Sequence, residues 1–214
     1  MNCVIRNVPI TIHSDSTIFS IKTTEVGYSL SKATHGRVIQ FLWVIQEIKH
    51  LDRYLDKKFK DWDFKGVKLH QCWEKFTIHS DFFSMTAHWS ENNNVPLFIH
   101  LYSDKDVIDL IMYKKKHPKL KLIVAHLFGI ELFIKHEFKD DNLFFDVSPY
   151  QLNSTERLKK AIDFIGAGHI VMGSDTPYGN NSLEKNIERI HKLNITDEDK
   201  TLILGNTIEK LLGL

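Results

Sequence analysis

Two stretches decide the fold: Pro96-Leu-Phe-Ile-His100 and Leu120-Lys-Leu-Ile-Val-Ala-His126. Each is a short apolar run that stops on a histidine. Gly66-Val-Lys-Leu-His70 repeats the pattern, Phe144-Phe-Asp146 carries an aspartate near its end, and Ile170-Val-Met-Gly-Ser-Asp175 finishes on one. The full series of β-rich runs is Val4–Ile12, Val38–Ile45, Gly66–His70, Val95–His100, Leu120–His126, Leu143–Val147 and Ile170–Asp175. From the second run onward the ends fall at 45, 70, 100, 126, 147 and 175. An amphipathic segment follows nearly every run; Ile48, Leu51, Leu55 and Phe59 mark one helical stripe, and Phe82, Phe83 and Trp89 help mark another. Strand, helix, strand at roughly 25–30 residues per unit predicts βα repeats and a parallel sheet.

Helix signals agree with that spacing. Ser103-x-x-Asp106 reads as a capping box, and the helix it opens ends in Lys114–Lys116 and His117 before Pro118. Ser154 and Ser182 read as N-caps, and Thr196-x-x-Asp199 opens a last helical stretch closing at Leu211-Leu212 beside Gly213. Two architectures fit, a closed (β/α)₈ barrel or a doubly wound open sheet. Neither G-x-G-x-x-G nor G-x-x-x-x-G-K-[ST] occurs, which removes most support for nucleotide and dinucleotide binding.

Composition bounds the rest. The chain has 214 residues, 43% of them hydrophobic, enough for one folded domain spanning 1–214 and too apolar for disorder. Lys and Arg total 28 against 27 Asp and Glu, a balance that argues against a nucleic-acid partner, and Lys114–Lys116 reads as a solvated helix end. No apolar stretch approaches the roughly 18 residues of a membrane span, so no membrane partner is expected. Cys3 and Cys72 cannot form a disulfide framework, and the N-terminus lacks the basic-then-apolar pattern of a signal peptide; both point to a cytoplasmic protein.

The strand ends carry the chemistry. By alternation Lys68 shares a face with His70, Phe98 with His100, Val124 with His126 and Gly173 with Asp175. Val67, Leu69, Leu97, Ile99, Ile123 and Ala125 then take the helix-packing face. In a closed barrel the first set points inward at the C-terminal rim, where barrel enzymes keep their sites. One histidine at a strand end is ordinarily a hydrogen-bonded structural residue, but His100, His126 and Asp175 together predict a site. His70 could ligate, or simply orient a loop. Lys68 could pair with a carboxylate, bind an anionic substrate group, or, carbamylated, bridge two metals. Asp146 could cap a turn or contact substrate.

In their order, Gly66-Val-Lys-Leu-His70, Pro96-Leu-Phe-Ile-His100, Val124-Ala-His126, Phe145-Asp-Val-Ser148, Gly173-Ser-Asp-Thr-Pro177 and Ile203-Leu-Gly-Asn-Thr-Ile-Glu-Lys-Leu-Leu212 resemble the amidohydrolase superfamily, most closely its amidohydrolase-related (family 2) branch. The resemblance runs from about residue 38 to 214. It implies a (β/α)₈ TIM barrel with a divalent metal, zinc by the donor types, at the C-terminal rim. His100 is similar to the strand-5 ligand and His126 to the strand-6 histidine that binds metal or polarises a carbonyl. Asp175 is similar to the strand-8 aspartate that touches the metal and moves a proton. Lys68 or His70 falls at the strand-4 place; one ion is implied, two if Lys68 is carbamylated.

One departure stands out. The superfamily normally carries H-x-H at the end of strand 1, and the nearest match here is His13-Ser-Asp15 after Val4–Ile12, a run that resembles strand 2 by order. Seven strands are counted, and the first βα unit is the one expected to be absent. A truncated chain, a chain that lost its metal, or replacement by His13 and Asp15 would each account for it. The resemblance implies a metal-dependent hydrolase cleaving a C–N or C–O bond of a small molecule. A decarboxylase using the same residues for catalysis and substrate binding is the second reading, and an inactive truncated barrel without metal the third. Homo-oligomers are conceivable through unpaired strand edges.

Overall fold

The computed structural model describes residues 16–176 and 181–214; the run Val4–Ile12 and the pair His13 and Asp15 lie outside them. Six strands form one sheet: β1 (Phe41–Trp43), β2 (Gly66–His70), β3 (Leu97–His100), β4 (Leu122–Val124), β5 (Leu143–Asp146) and β6 (Ile170–Val171). Every pairing is parallel and the spatial order follows the chain, β1-β2-β3-β4-β5-β6. A doubly wound sheet reverses its strand order part-way, so sequential order decides for the barrel architecture. Its helices are α1 (Ser16–Ala33), α2 (Leu51–Trp62), α3 (Gln71–Glu74), α4 (Asp81–Asn92), α5 (Asp104–Lys116), α6 (Ile130–Lys135), α7 (Thr155–Ile165), α8 (Ser182–Lys192), α9 (Asp197–Thr201) and α10 (Thr207–Leu212). None of the described helices is long and apolar enough to cross a membrane.

Alternation along the strands splits the core into two layers. Leu42, Val67, Leu69, Leu97, Ile99, Leu122, Val124, Leu143, Phe145 and Ile170 pack outward against helix residues such as Leu55, Phe83, Leu110, Phe133 and Leu158. Phe41, Phe98, Ile123, Phe144 and Val171 form the inner face, where α10 adds Ile208, Leu211 and Leu212. This reverses the expectation for β4: Ile123 points inward and Val124 outward.

Among the described residues, β1 and β6 each have one strand partner, and helical segments take up part of their free edges. Thr24 on α1 donates its hydroxyl to Trp43 O, and Gln40 donates to Thr24 O. At the other edge, Met172 N donates to Ile203 O at 3.1 Å, from a wider helical turn between α9 and α10. A sheet edge left bare would invite pairing with another chain.

The caps follow the sequence with two exceptions. Ser103, Ser154 and Thr196 accept from the N–H groups three residues on, and Gly213 closes α10 in the left-handed region. Ser182, however, is already the first residue of α8, and its hydroxyl accepts from Tyr150 N instead. Lys114 is not solvated: it is buried, with Nζ 2.5 Å from Asp140 Oδ1 and 3.0 Å from Pro118 O. Burial of an ammonium is tolerable only with such partners.

Gly66 shows how tightly the inner layer is filled. A Cβ there would sit 2.5 Å from the Phe41 ring. Gly66→Ala should therefore lower folding stability by about 1–3 kcal/mol through overpacking, read as a lower urea midpoint. An unchanged midpoint would mean that the Phe41 ring moves aside freely.

Candidate active site

The inner face changes character towards the C-terminal ends of the strands. Phe41, Phe98, Ile123 and Phe144 are its apolar part; Lys68 of β2 stands in register with Phe98, His70 of β2 and His100 of β3 lie two residues further along, and Asp146 of β5 pairs with Val171. Parallel register sets His70 directly beside His100. Their rings stack 4.2 Å apart at 7°, and His126 meets His100 edge-on at 4.8 Å. The three strand-end histidines thus form one contiguous array.

His126 reaches this array by a different route from the one alternation suggests. With Ile123 inward, simple pleating would send His126 outward. Instead β4 stops at Val124, and His126 takes φ 61° and ψ 25°, followed by Leu127 at φ 52°. Left-handed backbone is uncommon for non-glycine residues and persists only where the surroundings enforce it. The enforcing groups are visible. His126 N donates to Asp146 Oδ2 at 3.2 Å, and the ring's Nδ1 lies 2.6 Å from Ser148 O. A carbonyl only accepts, so Nδ1 carries the proton and Nε2 is the atom left for chemistry.

Asp146 is the hub. It is 3% exposed, yet it accepts from His126 N, from Ser148 N at 3.2 Å and from Ser148 Oγ at 2.5 Å. Its Oδ2 also stands 3.5 Å from His126 Nδ1. Gly173 makes room for it: a Cβ at that position would lie 2.0 Å from Asp146 Oδ1. Both oxygens are therefore engaged with the protein. Burial pushes the Asp146 carboxyl up, but the His126 hydrogen bond and charge outweigh it and hold the group below its ordinary range. Burial likewise opposes charge on His126, and Asp146 outweighs that too, raising the imidazole.

The other two histidines are held neutral. Burial, then the His100 and Lys68 charges, take His70 down to about 2; burial, then Lys68 and His126, take His100 to about 3. Lys68 is 6% exposed, with Nζ 3.9 Å over the Phe98 ring. Burial lowers it to about 8 against the pull of Asp146 and Asp175. Asp175 follows β6, at φ 53°, and burial raises its carboxyl despite the nearby His126.

Sequence reasoning missed three neighbours. Trp43 lies 5.8 Å from the His70 ring, Trp73 5.0 Å from it, and the two indoles 5.2 Å apart. Alternation from Phe41 would have put Trp43 on the inner face; Trp73, in the short helix α3, has no comparable signal. Cys72, also on α3, places Sγ 3.6 Å from His100 Nδ1. Among the described residues, His70, Cys72 and His100 are the group whose ligand atoms come within 4.8 Å of one another; Asp175 does not join His100 and His126 in such a group.

The donor chemistry nonetheless suits a divalent cation. His100 is neutral with its Nδ1 turned to Cys72, and His126 keeps Nε2 free, so each offers a lone pair.

The amidohydrolase (family 2) model matches residues 22–214. This chain belongs to the amidohydrolase family. Solved structures of the family's fold agree. A presumed amidohydrolase from Staphylococcus aureus superposes with a TM-score of 0.76 at 19% identity, covering 92% of this chain and 80% of its own. A dihydroxybenzoic acid decarboxylase from Polaromonas sp. JS666, with bound manganese, gives 0.72 at 14%, covering 92% and 75%. A 4-oxalomesaconate hydratase from Rhodopseudomonas palustris gives 0.71 at 15%, covering 92% and 72%. No curated protein matches the sequence. The family assignment makes the chain an enzyme by fold, with relatives that differ in the reaction they run.

The Asp146–His126 pair generates a test. A raised imidazole stabilises the fold below its unfolded value of about 6.5 and loses that contribution as pH rises through the folded value. A depressed carboxyl stabilises above about 3.9 and loses its share as pH falls. In metal-free protein, Asp146→Asn should move the His126 midpoint downward in an NMR titration and cost about 3–5 kcal/mol of stability. A midpoint that stays in place would show that Asp146 does not set the His126 charge.

Proposed function

We propose that this amidohydrolase-family chain is a divalent-metal-dependent enzyme acting on a small carboxylic acid, with loss of the carboxyl group as the reaction its site favours. The observation that carries the reading is the buried ammonium of Lys68 on the inner face, on the same strand as His70 and within the field of Asp146 and Asp175. A cation in so dry a place matches a substrate anion, and a carboxylate is the compact one that both ammonium and imidazole can hold. The aromatic walls, Phe98 below and Trp43 and Trp73 beside His70, suit a flat, unsaturated acid.

The residues divide the work. His100 and His126 are the groups that would hold the cation, with His70 as a further donor. When bound, a divalent ion supplies Lewis-acid polarisation of the substrate's oxygens. Lys68 fixes the carboxylate. Asp175, whose burial favours the protonated form, donates its proton to the carbon that bears the carboxyl group; the carbon–carbon bond then breaks, carbon dioxide leaves, and water restores the Asp175 proton. His126, its ring anchored through Nδ1 on Ser148 O, would present the Nε2 lone pair to the cation. Asp146 touches His126 and Ser148, so its part is positioning.

Hydrolysis of a C–N or C–O bond is the second reading, favoured by the raised His126, which can be an imidazolium and so polarise a carbonyl for attack by water. The products separate the two. Incubation of metal-loaded protein with a panel of small aromatic and unsaturated acids should release carbon dioxide and the decarboxylated compound. Release of an amine or alcohol with an acid, and no carbon dioxide, would establish the hydrolase instead.

Two variants test the roles. Asp175→Asn should lower kcat by about 10²–10⁴ with little change in KM, as removal of a proton donor does. Lys68→Met should act mainly on KM, weakening a carboxylate substrate about 10–100-fold, the worth of one charge-assisted hydrogen bond. If Lys68→Met left KM untouched, the substrate anion would not be bound there.

A further inference from the structure

His70, Cys72 and His100 form a cluster that the proposed chemistry does not use as a unit. Their ligand atoms all lie within 4.8 Å of one another, and each residue is half-buried. The sulfur faces Nδ1 of His100, at 3.6 Å. That separation has a meaning. Zinc–nitrogen and zinc–sulfur bonds of about 2.05 and 2.3 Å at a tetrahedral angle put the two donor atoms about 3.6 Å apart. The His100–Cys72 edge is therefore already at the spacing a tetrahedral ion needs. A second observation is independent of the cysteine. His70 Nδ1 is sealed from solvent and has no hydrogen-bond partner among the described residues, an orphaned polar atom of the kind a bound ion satisfies. A third is access. A cavity of about 400 Å³, lined by Cys72, Gln71, Lys75, Phe76, Tyr102 and Asp106, opens beside the sulfur. Three protein donors and an open side describe a three-coordinate site with room for water in the fourth place.

We infer that His70, Cys72 and His100 constitute a soft-metal site, selective for zinc or a similar thiophilic ion, that antagonises occupancy of the barrel centre by a hard divalent ion. Binding forms bonds from the ion to the Cys72 sulfur, a His70 nitrogen and His100 Nδ1; the thiol proton and the Nδ1 proton of His100 are given up, the former to water and the latter to Nε2. The ring that ligates through Nδ1 then carries hydrogen on Nε2 and has no lone pair to offer inward. The parallel His70 and His100 rings must splay to converge on the ion, which also pulls His100 away from His126. Of this inference, only the antagonism rests on the proposed function, because it takes His100 Nε2 as a donor at the barrel centre; the soft site itself does not.

Cobalt reports on both sites at once. Full-length, metal-free, reduced protein is titrated anaerobically with cobalt(II). The expected result is an intense near-ultraviolet thiolate-to-cobalt band that saturates at one equivalent. It persists in Cys3→Ser and disappears in Cys72→Ser, and His70→Ala weakens the binding at least about 10-fold. Zinc preloading should then reduce manganese(II) binding, followed by electron paramagnetic resonance, in the unaltered protein but not in Cys72→Ser. Should Cys72→Ser fail to fold by circular dichroism, Cys72→Ala and His70→Gln carry the same comparison. Cobalt bound with weak visible absorption alone, identical in Cys72→Ser, would overturn the soft site and leave the barrel-centre reading intact. A charge-transfer band that follows Cys3 would overturn it equally. A Cys72-dependent band with manganese binding indifferent to zinc would overturn the antagonism. Manganese that never binds the zinc-free protein would overturn the proposed function while the band still decides the soft site.

Discussion

One buried carboxylate organises the rim of this barrel. Asp146 sits at the end of β5 almost wholly buried, where an unpaired charge would cost several kcal/mol. It is tolerated because the neighbouring strands bring donors to it: His126 N from beyond β4, and Ser148 N and Oγ from its own following loop. The cost of desolvation is thus offset only if all three segments hold one arrangement. Each donor fixes something that matters. The bond to His126 N holds a left-handed turn that aims the imidazole inward, and Ser148 O then fixes the ring's proton on Nδ1. From the β6 side, Gly173 is the residue whose missing side chain leaves Asp146 its place.

The surrounding imidazoles follow from the same dryness. His70 and His100 lie face to face beside a buried lysine, with the indoles of Trp43 and Trp73 against His70, so neither can take a proton near neutrality. His126 alone has a carboxylate against it, and it alone is raised. His70 and His100 are thus driven neutral while the charged form of His126 is favoured, and the division is set by where a single negative charge was placed. At Asp175 burial outweighs the charges of His126 and Lys68, and its carboxyl moves the opposite way from that of Asp146.

Much of this was legible in the sequence. The spacing of apolar runs, and their habit of stopping on histidine or aspartate, gave the parallel order and the convergence of Lys68, His70, His100 and Asp146. Alternation worked for β2 and β3 because those strands stay regular to their last residue. It failed at β4 because the strand ends two residues before His126, and a tertiary hydrogen bond to Asp146, not the pleat, chooses the final direction. The direction of Ile123 was lost with it. Lys114 was misread for a similar reason: its partner Asp140 lies 26 residues away, and nothing in a run of three lysines says which one turns inward. Cys72 and Trp73 were silent because a four-residue helix has no period to read.

The placement of Asp175 is the least obvious consequence of the fold. It follows the shortest strand, at an edge of the described sheet, where fraying would be easiest. Three contacts hold the segment between them. Met172 N is taken up by Ile203 O, Gly173 O accepts from Asn186 of α8, and Gly173 lies flush against Asp146. Ile203 belongs to the wider helical turn whose continuation, α10, sends Ile208, Leu211 and Leu212 into the inner apolar layer. The C-terminal helices therefore do two jobs with one set of bonds: they cover an edge that would otherwise seek a partner strand, and they set the backbone from which the Asp175 carboxyl projects. Loosening α10 would be felt at Asp175 before it was felt at His70 and His100, because those stand on interior strands bonded on both sides.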